Sequence, residues 1–104
     1  MRTLEFTVKS QRLKRASGYS FNHIIMGSKN FLRAHFTFDE SWVGLTKVAL
    51  FSSGTDTQYV ALKNDECVIP DSVTASKYFY VQVIGVDGDQ KVPTNTLTIR
   101  QEES

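Results

Sequence analysis

The stretch from Phe36 to Phe51 constrains the fold more than any other part of the chain, because two strand-like runs flank an acidic turn. Phe36 and Phe38 alternate with a polar residue, and a second alternating run ends at Phe51, a pattern typical of β-strands. The turn between them, residues 39–41, is followed by the only tryptophan, Trp42. We predict a strand-to-strand corner with the Trp42 indole buried beneath it as a plug.

Strand-like segments continue along the chain at short intervals, and no helical period of useful length competes with them. Turn-forming residues separate them, which is the pattern of a β-sandwich or a barrel. The sequence predicts an all-β fold, an immunoglobulin-like or fibronectin-like β-sandwich of seven to eight short antiparallel strands, and a small Greek-key barrel is the alternative. The predicted strands are residues 3–9, 19–26, 31–38, 47–52, 57–62, 66–69, 78–85 and 94–100.

Three of these segments carry more specific expectations. Residues 19–26 and 31–38 are predicted to form a hairpin through the turn at 27–30. Residues 78–85 have the strongest strand pattern, with Phe79, Val81 and Val83 on one face and Tyr78 and Tyr80 on the other. Residues 71–77 have helical or coil character.

The length and composition predict one domain over residues 1–104, with 102–104 as a frayed tail. Aromatic residues make up 12% of the chain and compensate for the modest core of a 104-residue domain. The single cysteine, Cys67, excludes an internal disulfide and is expected to be a buried strand thiol. No long apolar run is present and the start of the chain is polar, so we expect no transmembrane helix, no signal peptide and a protein that is cytosolic when made.

The positive charges concentrate near the beginning of the chain. Residues 1–33 hold seven lysines or arginines and one glutamate, whereas residues 34–104 hold five and ten acidic residues. Arg12, Lys14 and Arg15 lie in a segment without a strand pattern, and we interpret them as a basic loop that contacts an acidic protein surface. A solvated loop is an equal alternative. Nucleic acid, with Tyr19 and Phe21 stacking on bases, is disfavoured because the net charge is only +1.

The residue types that carry catalysis or bind metals do not occur at productive spacings. His23, His35 and Cys67 match no zinc-ligand pattern, even though the two histidines would face each other across the predicted hairpin. The acidic pairs at residues 65–66 and 87–89 lack the remaining ligands of a calcium loop and fit turns instead. No nucleophile motif or phosphate loop is present. We therefore predict no metal, no cofactor and no enzymatic activity.

Four blocks together resemble small immunoglobulin-like modules in virion proteins of tailed phages that infect Gram-positive hosts. They are residues 36–51, Cys67-Val-Ile-Pro70, Val81-Gln-Val-Ile-Gly85 and Val92-Pro-Thr94, which span about the last two-thirds of the chain in the family's order. In that family such modules look like attachment, spacer or host-adhesion domains in baseplates, tail fibres, head fibres and capsid decorations. The resemblance implies no enzymatic activity, and it does not extend to the basic segment.

These observations predict a non-enzymatic virion protein, or a module of one, that attaches to a larger capsid or tail assembly. Its partners would be other phage structural proteins, and an unpaired edge strand offers a route to self-association. We expect no contact with a membrane. The alternative function is a carbohydrate-binding, host-surface adhesion module with Tyr78, Tyr80 or Tyr59 as stacking platforms.

Overall fold

The protein consists of two β-sheets with short helical turns between strands. A computed structural model describes residues 1–54 and 56–104. A turn of 3-10 helix covers Glu40–Trp42, and helix α1 covers Asp71–Thr74. In chain order the strands are β1 (Arg2–Lys9), β2 (Arg12–Arg15), β3 (Leu32–Phe38), β4 (Thr46–Ser53), β5 (Asp56–Ala61), β6 (Glu66–Val68), β7 (Tyr78–Asp87), β8 (Gln90–Pro93) and β9 (Leu97–Arg100).

The strands are divided between a four-stranded and a five-stranded sheet. The first has the order β2-β1-β3-β6. In the second, β5, β4 and β7 follow one another, and both β8 and β9 pair with the far side of β7. Strands β1 and β3 are parallel, and the other pairs are antiparallel.

One hydrophobic core holds the sheets together. Strand β7 shows how the sequence builds this core, because its inward-facing and outward-facing residues alternate strictly. Phe79, Val81 and Val83 are buried, and the residues next to them lie on the opposite face. Trp42 is only 1% exposed, which confirms the predicted plug. The largest buried side chains are those of Trp42, Phe6, Phe36, Phe51, Phe79, Leu4, Leu13, Ile24, Leu32, Ile69 and Ile99.

The prediction of a sandwich-like all-β fold is confirmed, but its strand inventory was wrong in two respects. The described part of the chain forms nine strands where seven to eight were expected, and β1 and β3 run parallel where all pairs were expected to be antiparallel. The segments predicted at 47–52, 57–62, 66–69 and 78–85 correspond to β4, β5, β6 and β7 within about two residues at each end.

The predicted hairpin of residues 19–26 and 31–38 was also wrong. Residues 19–24 are irregular, and Ile25 makes an isolated bridge with Glu102. Because β2 and β3 lie on opposite sides of β1, the intervening chain must cross the end of β1. Arg2 lies at that end, and its guanidinium donates hydrogen bonds to the carbonyls of Ser20, Asn22 and His23.

The expected basic loop is in fact strand β2. It pairs with β1 through a hairpin whose two turn residues begin with Ser10 at a φ of 53°. Leu13 is its only inward-facing apolar residue and is fully buried. A single apolar residue is too weak a signal for strand recognition from sequence.

The end of the chain differs from expectation as well. Of the predicted strand at 94–100 only residues 97–100 form a strand, β9, and β8 covers residues 90–93, which precede the predicted range. Just before the tail expected to fray, residues 102–104, Gln101 N–H donates to the Lys77 carbonyl at 2.6 Å, and within it Glu102 N–H donates to the Ile24 carbonyl at 2.7 Å.

Candidate functional site

The outer faces of the two sheets differ in chemistry. The four-stranded sheet has a charged outer face, on which His35 Nδ1 lies 2.7 Å from Glu5 Oε1 and Arg33 Nη1 lies 2.9 Å from Glu66 Oε1. The five-stranded sheet has an outer face made mostly of apolar and aromatic side chains. These two faces offer two distinct candidate binding surfaces.

We call the second surface the tyrosine face. It is formed by the outward-pointing positions of β4, β5, β7, β8 and β9: Thr46, Val48, Leu50, Ser52, Thr57, Tyr59, Ala61, Tyr78, Tyr80, Gln82, Ile84, Val86, Lys91, Pro93, Thr98 and Arg100. Its tyrosines are substantially exposed, Tyr59 by 68%, Tyr78 by 46% and Tyr80 by 37%. Contiguous apolar patches left exposed on a soluble domain mark interaction surfaces.

Strand register fixes where the tyrosines stand. Tyr59 lies directly across from Leu50, and Tyr80 directly across from Ser52. The rings of Tyr78 and Tyr80 meet edge to face, with centroids 5.7 Å apart. Two shallow depressions of about 300 and 320 Å³ lie on this surface, one beside Leu50 and Tyr80 and the other beside Tyr59.

The tyrosine face carries little charge. At its strand positions within residues 1–54 and 56–104, the charged side chains are Lys91 and Arg100, both on the strands that border β7. Asp89 lies at the end of the face, in the turn between β7 and β8 beside the Tyr59 depression. The face is therefore apolar in the middle and positive along one side.

The other candidate surface, which we call the basic corner, consists of Thr7, Lys9, Arg12 and Lys14. It lies on the outer face of the four-stranded sheet, where these side chains line a depression of about 180 Å³. The β1–β2 register places Lys9 opposite Arg12 and Thr7 opposite Lys14. Of the basic residues predicted from sequence, Arg12 and Lys14 belong to this surface, and Lys9 was missed.

The acidic turn at residues 39–41 and the tryptophan that follows it hold the β1–β2 hairpin, which carries the basic corner. The Trp42 Nε1–H donates to the Ser10 carbonyl at 2.7 Å, and the Ser10 N–H donates to Asp39 Oδ2 at 2.7 Å. The hydroxyl of Ser41, with further help from the Ser10 N–H and from nearby Lys9, lowers the pKa of the Asp39 carboxyl. Asp39 is consequently ionised and engaged with Ser10 and Ser41.

Arg15 does not join the basic corner. It pairs with Phe6, whose side chain points into the core, and so lies on the other side of β2 from Arg12 and Lys14. Its Nη2 donates to the Thr98 carbonyl at 2.6 Å, and its guanidinium lies over the Phe21 ring, 5.7 Å from the centroid. Arg15 bridges the two sheets, so the three predicted contact residues do not act as one cluster.

The remaining polar residues do not assemble a reactive centre in the part of the chain that the structure describes. His23 lies beside Glu102 and His35 beside Glu5, each with its own carboxylate neighbour, and no group of three potential metal ligands occurs among the described residues. Burial raises the pKa of the Cys67 thiol to about 12, so the thiol is protonated and unreactive at neutral pH. Asp65 binds the Lys47 ammonium, which accounts for one of the acidic clusters.

Comparisons with known proteins add no identity to this geometry. Neither the protein-family models nor the curated proteins compared with this sequence match it. Among residues 1–54 and 56–104, no helix has the length and apolar character needed to cross a membrane.

Proposed function

We propose that this chain is a non-enzymatic structural protein of a phage virion, or a module of one, and that the tyrosine face attaches it to a capsid or tail protein. The exposure of Tyr59, Tyr78 and Tyr80 on one apolar sheet face carries the proposal, because tyrosines are enriched in the centres of protein interfaces. The virion context rests on the sequence blocks at residues 36–51, 67–70, 81–85 and 92–94.

We further propose that the sandwich is of the immunoglobulin-like or fibronectin-like type. Two packed sheets of short strands around a shared core support this assignment. The parallel pairing of β1 with β3 is a departure from a wholly antiparallel sandwich.

Charge selects the kind of surface that fits the tyrosine face. Lys91 and Arg100 border the apolar centre, so the complementary surface has an apolar middle and carboxylates opposite these two cations. A second copy of the same face would supply no carboxylates at its strand positions to pair with these two cations. A different virion protein therefore fits better than self-association.

The virion assignment can be tested by mass spectrometry. The sample is phage particles purified from cells that carry the gene for this chain. The proposal predicts that the wild-type chain copurifies with particles at a fixed stoichiometry. Its absence from particles, with the chain present in the same lysate, would refute the virion assignment.

A variant pair tests the role of the tyrosine face in attachment. Leu50→Lys together with Tyr59→Ser places charge in the apolar centre and should abolish incorporation, whereas Lys63→Ser, outside the face, should not change it. Incorporation of the double variant at the wild-type level would show that attachment uses another surface. Circular dichroism confirms that both variants are folded.

Carbohydrate binding is the second candidate function, favoured by the same three exposed tyrosines. Aromatic rings bind sugars through their faces, but Tyr78 and Tyr80 meet at an interplanar angle of 74° and do not form one flat platform. Sugar stacking would therefore rely on separate rings. Binding on a glycan array that is lost in Tyr59→Ala or Tyr80→Ala would establish this function, and an empty array would remove it.

A further inference from the structure

We propose that the basic corner binds a phosphate or sulfate group. This site is separate from the tyrosine face and lies on the other sheet. Lys9, Arg12 and Lys14 surround the depression, and the Thr7 hydroxyl adds a fourth donor. Lysine and arginine donate charge-assisted hydrogen bonds to such groups, and a phosphate offers three strong acceptor oxygens where a carboxylate offers two.

The first argument is the position of the cations in the hairpin. Lys9 stands directly opposite Arg12, which places the two Cβ atoms about 4.5–5.5 Å apart. Like charges at directly opposed positions destabilise a strand pair. Lys14 lies on the same face two residues beyond Arg12, so it increases the concentration of positive charge. An anion between them would remove this repulsion.

The second argument is that nearby carboxylates are already engaged. Asp39 accepts hydrogen bonds from the Ser10 and Ser41 backbone N–H groups and from the Ser41 hydroxyl. Glu5, on the same sheet face, lies 2.7 Å from His35 Nδ1. The ion pairs among the described residues include none with Lys9, Arg12 or Lys14.

The third argument excludes the usual structural role of such charges. Lysines often protect an exposed edge strand from pairing with another chain. The edge of β2 is already covered, because Asn95 Oδ1 accepts from the Leu13 N–H at 2.6 Å and Asn95 Nδ2 donates to the Leu13 carbonyl at 3.1 Å. The cations are thus not required to block strand addition at this edge.

The fourth argument is that the hairpin is held in place before any ligand arrives. Ser10, at its turn, is fixed by Asp39 on one side and by Trp42 on the other. Trp42 is itself buried in the core, so the backbone that carries Lys9 and Arg12 is tied to the hydrophobic core. A preorganised site loses less entropy on binding.

Nuclear magnetic resonance titration of the full chain tests the site, with orthophosphate, sulfate and tripolyphosphate as probes at constant ionic strength. We expect saturable shifts of the Lys9, Ser10, Arg12 and Lys14 amides. Arg12→Gln with Lys14→Gln should weaken binding at least about tenfold, since each cation contributes a charge-assisted hydrogen bond. The matched control, Lys29→Gln with Lys63→Gln, also removes two exposed cations, lies outside both candidate surfaces and should leave the affinity unchanged.

The outcomes separate the site from general charge effects. Shifts that grow linearly with anion concentration, or an equal loss of affinity in the control variant, would overturn the proposal. Tighter binding of a glutamate-rich peptide than of tripolyphosphate would identify a carboxylate surface as the occupant and refute the phosphate or sulfate assignment. Orthophosphate binding as tight as tripolyphosphate binding indicates recognition of a single group, and a large preference for tripolyphosphate indicates a polymer with several such groups.

Discussion

Trp42 rests on Gly85, and the contact leaves no room for a side chain at residue 85. A Cβ placed on Gly85 would lie 2.6 Å from Trp42 Cζ3 and 2.8 Å from Leu45 Cδ1. Gly85 is on β7 and Trp42 is in the corner between β3 and β4, so the contact fixes the corner against the five-stranded sheet. The same indole donates to the Ser10 carbonyl and thereby reaches the β1–β2 hairpin.

Replacing Trp42 by alanine should lower the free energy of unfolding by about 3–5 kcal/mol, because a fully buried indole and its hydrogen bond are both lost. Urea unfolding measures the change. Val43→Ala is the control, since Val43 is 80% exposed and its truncation should alter stability by less than about 0.5 kcal/mol. A loss below about 1 kcal/mol for Trp42→Ala would contradict its role as the plug.

Gly85→Ala should cost about 1–3 kcal/mol, because the new methyl group overpacks the indole. The decisive measurement is a double-mutant cycle with Trp42→Ala. In the variant that already lacks the indole, the cost of Gly85→Ala should be much smaller. Equal costs in both backgrounds would show that the destabilisation does not come from this contact.

Asn95→Ala should destabilise the protein by about 1–3 kcal/mol, because the Leu13 N–H and carbonyl lose the side chain that pairs with them. Thermal or urea unfolding measures the effect. Asn22→Ala, at an exposed position, provides the control and should change stability by less than about 0.5 kcal/mol. An Asn95→Ala variant as stable as the control would mean that the β2 edge does not depend on this cover.

The three predicted basic residues should differ in their effect on stability. Arg15→Ser should cost about 0.5–1.5 kcal/mol because it removes the hydrogen bond to the Thr98 carbonyl. Lys14→Ser should change stability by less than about 0.5 kcal/mol or raise it slightly, since it reduces repulsion in the basic corner. Equal unfolding free energies for the two variants would contradict the assignment of Arg15 to the contact between the sheets.

Cys67 should resist alkylation by iodoacetamide at pH 8 in the native protein and react fully in urea. The reason is its pKa of about 12, raised chiefly by burial, which leaves almost no thiolate at pH 8. Because the pKa is higher in the folded than in the unfolded state, the free energy of unfolding should also fall as pH rises above about 9. Cys67→Ala should lack this component, and rapid native-state alkylation would contradict the burial.

The sequence predicted those strands whose own residues carry the signal. In β7 the alternation is complete, and the split between buried Phe79 and outward Tyr78 was foreseen. Strand β2 was missed because Leu13 is its only apolar residue and because its pairing depends on β1 and Asn95, which lie elsewhere in the chain. The opposite error occurred at Phe21, which was predicted to lie in a strand. It belongs to an irregular segment and packs edge to face on Phe6.

The candidate surfaces were foreseen to a similar extent. Arg12 and Lys14 were recognised by their charge, but Lys9 was assigned to a separate strand, and only the position of the Ser10 turn shows that it faces Arg12. The outward direction of Tyr80 followed from periodicity. Periodicity does not show whether another part of the chain covers this sheet face. Nothing within the described residues covers it, and that depends on how the whole chain packs.

The interior position of β1 has a consequence for synthesis of the chain. Strand β2 follows it at once, but its parallel neighbour β3 begins only at Leu32, and the four-stranded sheet is completed at Val68. The five-stranded sheet is not complete until Arg100. Folds dominated by such distant pairings acquire their native contacts slowly, because the loops must close first. A ribosome-bound chain would therefore hold β1 paired with β2 alone until β3 emerges, and native packing of the two sheets would be completed only when β9 has left the exit tunnel.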